Sequence, residues 1–161
     1  MINNFNRTMD FIFKWEGYKS NHPDDPGGVT IWGISSRSWG EDVKKMEGME
    51  KEASRKYALD FYKQQYWDKC GCSDLVFPLD MIVMDTAVNM GVGRALEFRG
   101  KARGGASFPD WVDFLMLRIG FYTNLAKKNP VFLRGWLNRV NDLYASAVKS
   151  EEHPLSNYKE V

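Results

Sequence analysis

Glu16 is the first residue at which the sequence concentrates chemistry. Phe5, Met9, Ile12 and Phe13 recur at the spacing of one helical face, Glu16 extends that face by a further turn, and Gly17 follows as a stop. A carboxylic acid on the apolar side of a helix end is a candidate proton donor, the role of a general acid. Residues 19 to 30 are dense in turn formers and carry two more carboxyls, Asp24 and Asp25, ahead of Pro26, Gly27 and Gly28. A second carboxylate beside the first suits activation of a water or stabilisation of a developing positive charge. Asp before Pro or Gly also caps backbone turns. For Asp24 that reading weighs as much as chemistry, and for Asp25 chemistry is favoured.

The elements that must position these groups are helical. The spacing predicts a first helix ending at Glu16, then a turn-rich stretch with at most a small β-hairpin near residues 24–36, in which Ile31, Trp32 and Ile34 take part. Glu50 to Asp68 reads as a helix with Ala53, Tyr57 and Phe61 on one stripe and Ala58, Tyr62 and Tyr66 on a neighbouring one. Cys70 to Phe77 reads as a connecting loop. After Pro78, Leu79, Ile82, Val83, Ala87 and Met90 form one apolar stripe and Met81, Met84 and Val88 another, so this helix is expected to be buried on several sides. Asp85 and Asn89, one turn apart, are either a satisfied buried polar pair or part of a cleft wall. Ser107 and Pro109 read as the cap and first turn of a helix carrying Trp111, Phe114, Leu115, Tyr122 and Leu125. Phe132, Trp136, Val140, Leu143, Tyr144 and Ala147 mark the last helix, before a polar tail.

Composition narrows the function classes. The 161 residues are 43% hydrophobic, enough for one compact domain or two tightly packed halves. The formal net charge of +1 argues against a nucleic-acid polycation, although residues 88–149 hold ten basic against four acidic side chains. A basic surface of that kind suits an anionic bacterial envelope or is a solvated helix face. Six Trp exceed what a small core needs; most are expected in the core, with some rings left to line a groove where sugar faces stack. Cys70 and Cys72, one glycine apart, are expected to be free thiols. With only His22 and His153 as further soft ligands, no metal site is expected. Gly27-Gly28 and Gly91-Val92-Gly93-Arg94 lack the lysine-serine pair of a nucleotide loop. No secretory signal or membrane-length apolar run is visible, so the expectation is synthesis as a soluble cytoplasmic protein without a signal peptide.

Trp15-Glu16-Gly17-Tyr18, followed by Pro23-Asp24-Asp25-Pro26-Gly27-Gly28-Val29-Thr30 and Gly33-Ile34-Ser35, resembles glycoside hydrolase family 108, the N-acetylmuramidases of phages and bacteria. Asp85-Thr86-Ala87-Val88-Asn89-Met90-Gly91-Val92-Gly93-Arg94-Ala95 resembles the helix opening that family's C-terminal peptidoglycan-binding-like region, and Trp136-Leu137-Asn138-Arg139-Val140 its closing helix. The spacing of Glu16, Asp25 and Thr30 is also similar to the catalytic Glu, Asp and Thr of phage-type lysozymes.

The resemblance implies a mainly α, lysozyme-like fold with a catalytic region over residues 1–77, a helical peptidoglycan-binding-like region over 78–150 packed against it, and a polar tail at 151–161. It implies hydrolysis of the bond between N-acetylmuramic acid and N-acetylglucosamine, and thereby cell lysis, with no cofactor and no metal. Glu16, Asp25 and Thr30 would be catalytic, and Tyr18, Trp32, Asp85 and Asn89 would contact substrate. The implied partner is bacterial peptidoglycan, with a holin for export if the source is a phage; a monomer, no nucleic acid and no stable membrane insertion are expected. Competing readings are a non-catalytic peptidoglycan-binding or secretion-accessory module of the same fold, and a helical adaptor that binds protein through its aromatic surface.

Overall fold

A computed structural model describes residues 4–21, 28–103 and 110–149. Among them are seven α-helices and one small antiparallel sheet, a mainly α, lysozyme-like fold. The chain divides into two compact units, Met1–Lys69 and Cys70–Val161.

In the first unit, α1 (Asn4–Glu16) buries Met9, Ile12 and Phe13, the stripe read from the sequence. Gly17 ends it with φ of +72° while its amide still donates to the Phe13 carbonyl at 3.0 Å. The reversal feeds β1 (Lys19–Ser20), which pairs with β2 (Thr30–Ile31), and β2 pairs in turn with β3 (Ile34–Ser35). The sheet therefore has one strand more than a hairpin near 24–36: the glycine turn after α1 brings residues 19–20 alongside it. Ser36 follows β3 directly and opens α2 (Ser36–Glu47), which is kinked at Trp39. The spacing had left this segment without an assignment. α3 (Lys51–Tyr62) passes into a π-helical turn, Lys63–Trp67, whose wider ring adds one residue to the helix. Tyr57 donates to Asp42 at 2.7 Å, joining α3 to α2, and Arg55 pairs with Asp10 at 2.9 Å, joining α3 to α1.

In the second unit, a short 3-10 turn at Cys72–Asp74 precedes α4 (Leu79–Met90), buried continuously from Asp80 to Ala87. Gly91 at φ of +89° separates α4 from α5 (Val92–Lys101). α6 (Asp110–Ala126) and α7 (Leu133–Val148) pack against one another, and α6 also packs on α4 and α5. Met84, Ala87, Ala95, Phe114, Leu143 and Ala147 have no exposed surface. Burying a side chain of Leu, Met or Phe size stabilises by about 1.5–3 kcal/mol, so this apolar interior is the main support of the unit. Ser107 and Pro109 lie outside the described residues.

Candidate active site

Glu16 is the last residue of α1, half-buried, with its side chain against the tip of the small sheet. That tip is the two-residue turn Trp32-Gly33 between β2 and β3, and both residues have positive φ, +51° and +81°. This is the twist that a two-residue hairpin demands, and it normally selects Asn or Gly. A tryptophan there carries backbone strain of about 1–3 kcal/mol unless its surroundings fix it. The Trp32 amide donates to the Tyr18 carbonyl at 2.6 Å, its carbonyl accepts from the Tyr62 hydroxyl at 2.9 Å, and its indole N–H donates to Ser54 Oγ at 3.0 Å. The ring packs on Phe13 and Tyr18 at 4.8 and 4.9 Å. Trp32 is thus held at backbone and side chain together, and so is the turn that faces Glu16.

Glycine suits position 33 for space as well as for φ. A Cβ at this position would lie 2.6 Å from the Tyr62 hydroxyl and 2.7 Å from Glu16 Cγ, both shorter than real contacts. Glu16 and Tyr62 therefore converge on one point of the turn. Tyr66, one turn beyond Tyr62 across the start of the π-helical segment, extends this wall with ring centroids 5.5 Å apart. Burial pushes the Tyr66 phenol upward and the nearby Glu16 charge pushes the same way, against a hydrogen bond with Trp39. The phenol is accordingly neutral wherever the protein is folded near neutrality and can donate a hydrogen bond. Trp39 meets Phe61 edge to face at 4.9 Å, so the kink in α2 brings an indole into the same aromatic wall.

Of the residues expected to do chemistry, Glu16 and the sheet carrying Thr30 are brought together. Thr30 pairs with Ser20 on one side and Ser35 on the other, half-buried, beside the fully enclosed Ile31. Asp25, with Asp24 and His22, lies outside the described residues. Tyr18 is half-buried on Trp32, and the Lys51 ammonium stands 5.2 Å from its ring. Trp32 was expected to meet substrate, yet only 7% of its surface is exposed and its N–H is engaged. It is a core residue that shapes the turn.

Asp85 is corrected in the same way. It belongs to the second unit, has no exposed surface, and gives both carboxylate oxygens to arginines. Arg118 Nη1 donates to Oδ2 at 2.7 Å, and Arg139 donates to Oδ1 through Nη2 at 2.7 Å and Nε at 3.0 Å. Arg118 also donates to Thr86 Oγ1 at 3.0 Å and to the Tyr122 hydroxyl, which donates onward to Asn89. Of the two readings open for Asp85 and Asn89, the buried polar one holds for Asp85, which has no exposed surface. The side chain of Asn89 is exposed, with Oδ1 committed to Tyr122. Burial acts against the Asp85 carboxylate, but the two guanidinium groups outweigh it and hold its pKa below the usual value.

Sequence reasoning missed Gly33, Tyr62, Tyr66 and Trp39 as parts of the site. The stripe Ala58, Tyr62, Tyr66 was a usable signal, since two phenols on one helical face are costly to bury without a polar neighbour. The kink that places Trp39 left no mark in the spacing. Among the described residues no group of three or more His, Cys, Asp or Glu side chains is arranged to hold a metal ion.

A half-buried carboxyl at a helix end, set against a small sheet in a mainly α, lysozyme-like fold, is an arrangement suited to a glycoside hydrolase. Residues 9–91, a little over half the chain, match the family described as Glycosyl hydrolase 108, and the protein belongs to that family. The match ends at Gly91, where α4 ends. The solved structure of Brucella abortus SagA is similar over 96% of this chain and 99% of that one, with a TM-score of 0.72 and 23% identity, which is a likeness of fold. No curated protein matches the sequence.

Proposed function

We propose that the protein is a peptidoglycan hydrolase of the N-acetylmuramidase type, in which Glu16 protonates the glycosidic oxygen as the bond to the N-acetylmuramic acid carbon breaks. The observation that supports this reading is the seating of Glu16: its side chain lies against Gly33, at the same point of the turn that the Tyr62 hydroxyl approaches, within the residues that the family match covers. A donor held in one place lowers the barrier by sparing the reaction the entropy of finding it. The neutral Tyr66 phenol beside it is a hydrogen-bond donor for substrate hydroxyls or for Glu16 after its proton has left. Asp25 is assigned the second carboxylate, drawing a proton from a water that attacks the sugar carbon from the opposite face, and Thr30 is assigned to holding that water.

The test is release of reducing sugar from purified sacculi, with mass spectrometry of the fragments. A new reducing end on N-acetylmuramic acid is the expected product. A reducing end on N-acetylglucosamine would replace the bond assignment. Binding to sacculi without any cleavage would replace the enzyme with the non-catalytic module of the same fold.

A further inference from the structure

The connection between α6 and α7 has a surface that catalysis does not use. Six consecutive residues, Lys127-Lys128-Asn129-Pro130-Val131-Phe132, are all exposed, and Arg134 after them is exposed as well. Val131 is 85% exposed and Phe132 is 59% exposed, side by side at the tip. The other exposed large apolar side chains, such as Val76 and Met116, stand singly in the sequence and need no account.

The tip is built rather than loose. Lys128 and Asn129 return their amides to the Leu125 carbonyl at 3.0 and 3.2 Å. Pro130 opens a 3-10 turn over Pro130–Phe132, and the Phe132 ring rests on Trp136 at 5.8 Å, which stacks on Tyr122 at 5.0 Å. Two apolar side chains are therefore held out in water on an ordered base, which is unfavourable unless something covers them.

Charge identifies the covering. Between Asp113 and Asp142 the sequence holds no acidic residue. Of the five cations in that interval, Arg118 and Arg139 are buried on Asp85, while Lys127, Lys128 and Arg134 are exposed and flank the apolar pair in sequence. Cations flanking an exposed aliphatic and an aromatic side chain match a surface with anionic groups outside and hydrocarbon beneath. An anionic wall polymer would satisfy the three cations but leave Val131 in water.

We propose that the stretch from Lys127 to Arg134 is a peripheral contact site for anionic phospholipid membranes. Val131 and Phe132 enter the boundary between headgroups and acyl chains, and the three cations pair with lipid phosphates. The contact is interfacial, since no helix among the described residues is long and apolar enough to cross a membrane.

The test is co-sedimentation of the full chain with vesicles of equal parts phosphatidylglycerol and phosphatidylethanolamine, with pure phosphatidylcholine vesicles, and with purified sacculi. Binding to the anionic vesicles is expected, falling roughly tenfold or more both in V131S/F132S and in K127Q/K128Q. K127Q/K128Q should melt as the parent does, and V131S/F132S only slightly lower, since Phe132 gives up its ring contact with Trp136 but Val131 is almost fully exposed. Brominated acyl chains should quench tryptophan emission in the parent and not in V131S/F132S. Any of three outcomes overturns the proposal: no preference for anionic over phosphatidylcholine vesicles, anionic-vesicle binding that V131S/F132S retains in full, or sedimentation with sacculi alone.

Discussion

Gly33 and Glu16 are in direct contact, so tightly that a single carbon added to Gly33 would lie 2.7 Å from Cγ of the acid. Gly33→Ala should therefore injure the site twice. An L-side chain at φ of +81° costs about 1–2 kcal/mol, and the methyl group must displace Glu16 or the Tyr62 hydroxyl. The expected result is a modest fall in melting temperature with a loss of hydrolysis out of proportion to it, compared at a temperature where the variant remains folded. Full activity in this variant would show that the seating of Glu16 does not matter to the reaction.

Glu16→Gln should fold like the parent and lose turnover by orders of magnitude, because the amide has nearly the same volume and no proton to give. Asp25→Asn should cut turnover strongly but less, since an amide still orients a water without accepting its proton. If Asp25 works through water, nuclear magnetic resonance of the first-formed product should show an inverted anomer. Retention would make the second carboxylate a nucleophile, and an inactive Asp24→Asn beside an active Asp25→Asn would move the role by one residue.

Asp85 should be a stability residue with no direct part in hydrolysis. Asp85→Ala leaves Arg118 and Arg139 buried without their shared carboxylate, which for a buried ion pair costs about 3–5 kcal/mol. The pH dependence follows from the depressed folded-state pKa: the contribution is complete above the unfolded value of about 3.9 and fades as pH falls through the lower folded value. Urea melts at pH 7 and near pH 3 should show acid weakening of the parent, and a smaller acid-dependent loss in Asp85→Asn. Equal pH dependence in the two proteins would place the acid sensitivity elsewhere.

Cys70 and Cys72 are both free and buried. Their mutual hydrogen bond lowers the Cys70 thiol and raises that of Cys72, where burial adds in the same direction. Alkylation by iodoacetamide should be slow in the native protein, reaching both thiols only in denaturant, and reductant should leave the melting temperature unchanged. A drop on reduction would mean that the protein carries a disulfide in solution.

The helical periodicity of Phe5, Met9, Ile12 and Phe13 was legible because these side chains share one face of α1, although Phe11 is buried off that stripe, and the double stripe after Pro78 was legible because α4 is enclosed on nearly every side. Glu16 could be singled out because a carboxyl is costly on such a face. Its surroundings could not be, since the approach of Glu16 and Tyr62 to Gly33 and of Trp39 to Phe61 joins residues far apart in sequence and depends on positive φ values and a kink that residue types do not announce. Trp32 misled for a related reason. An indole near a catalytic acid reads equally well as a sugar platform or as a wedge behind the turn, and only the Ser54 hydroxyl 22 positions away decides the matter. Asp85 and Asn89 shared a helical face as expected, but their arginine and tyrosine partners sit on α6 and α7.

The π-helical turn at Lys63–Trp67 sets a limit on how the site can vary. Removing one residue there, Gln64 for instance, would let the chain continue as a regular α-helix with better-formed hydrogen bonds. Because a π turn spends one more residue over about the same arc, the residues beyond it would keep roughly their phase, while Tyr66 would come to lie three positions after Tyr62 instead of four and lose its present register with that ring. The pairing of the two phenols thus depends on chain length at this point, a constraint that comparing residue types position by position would not reveal.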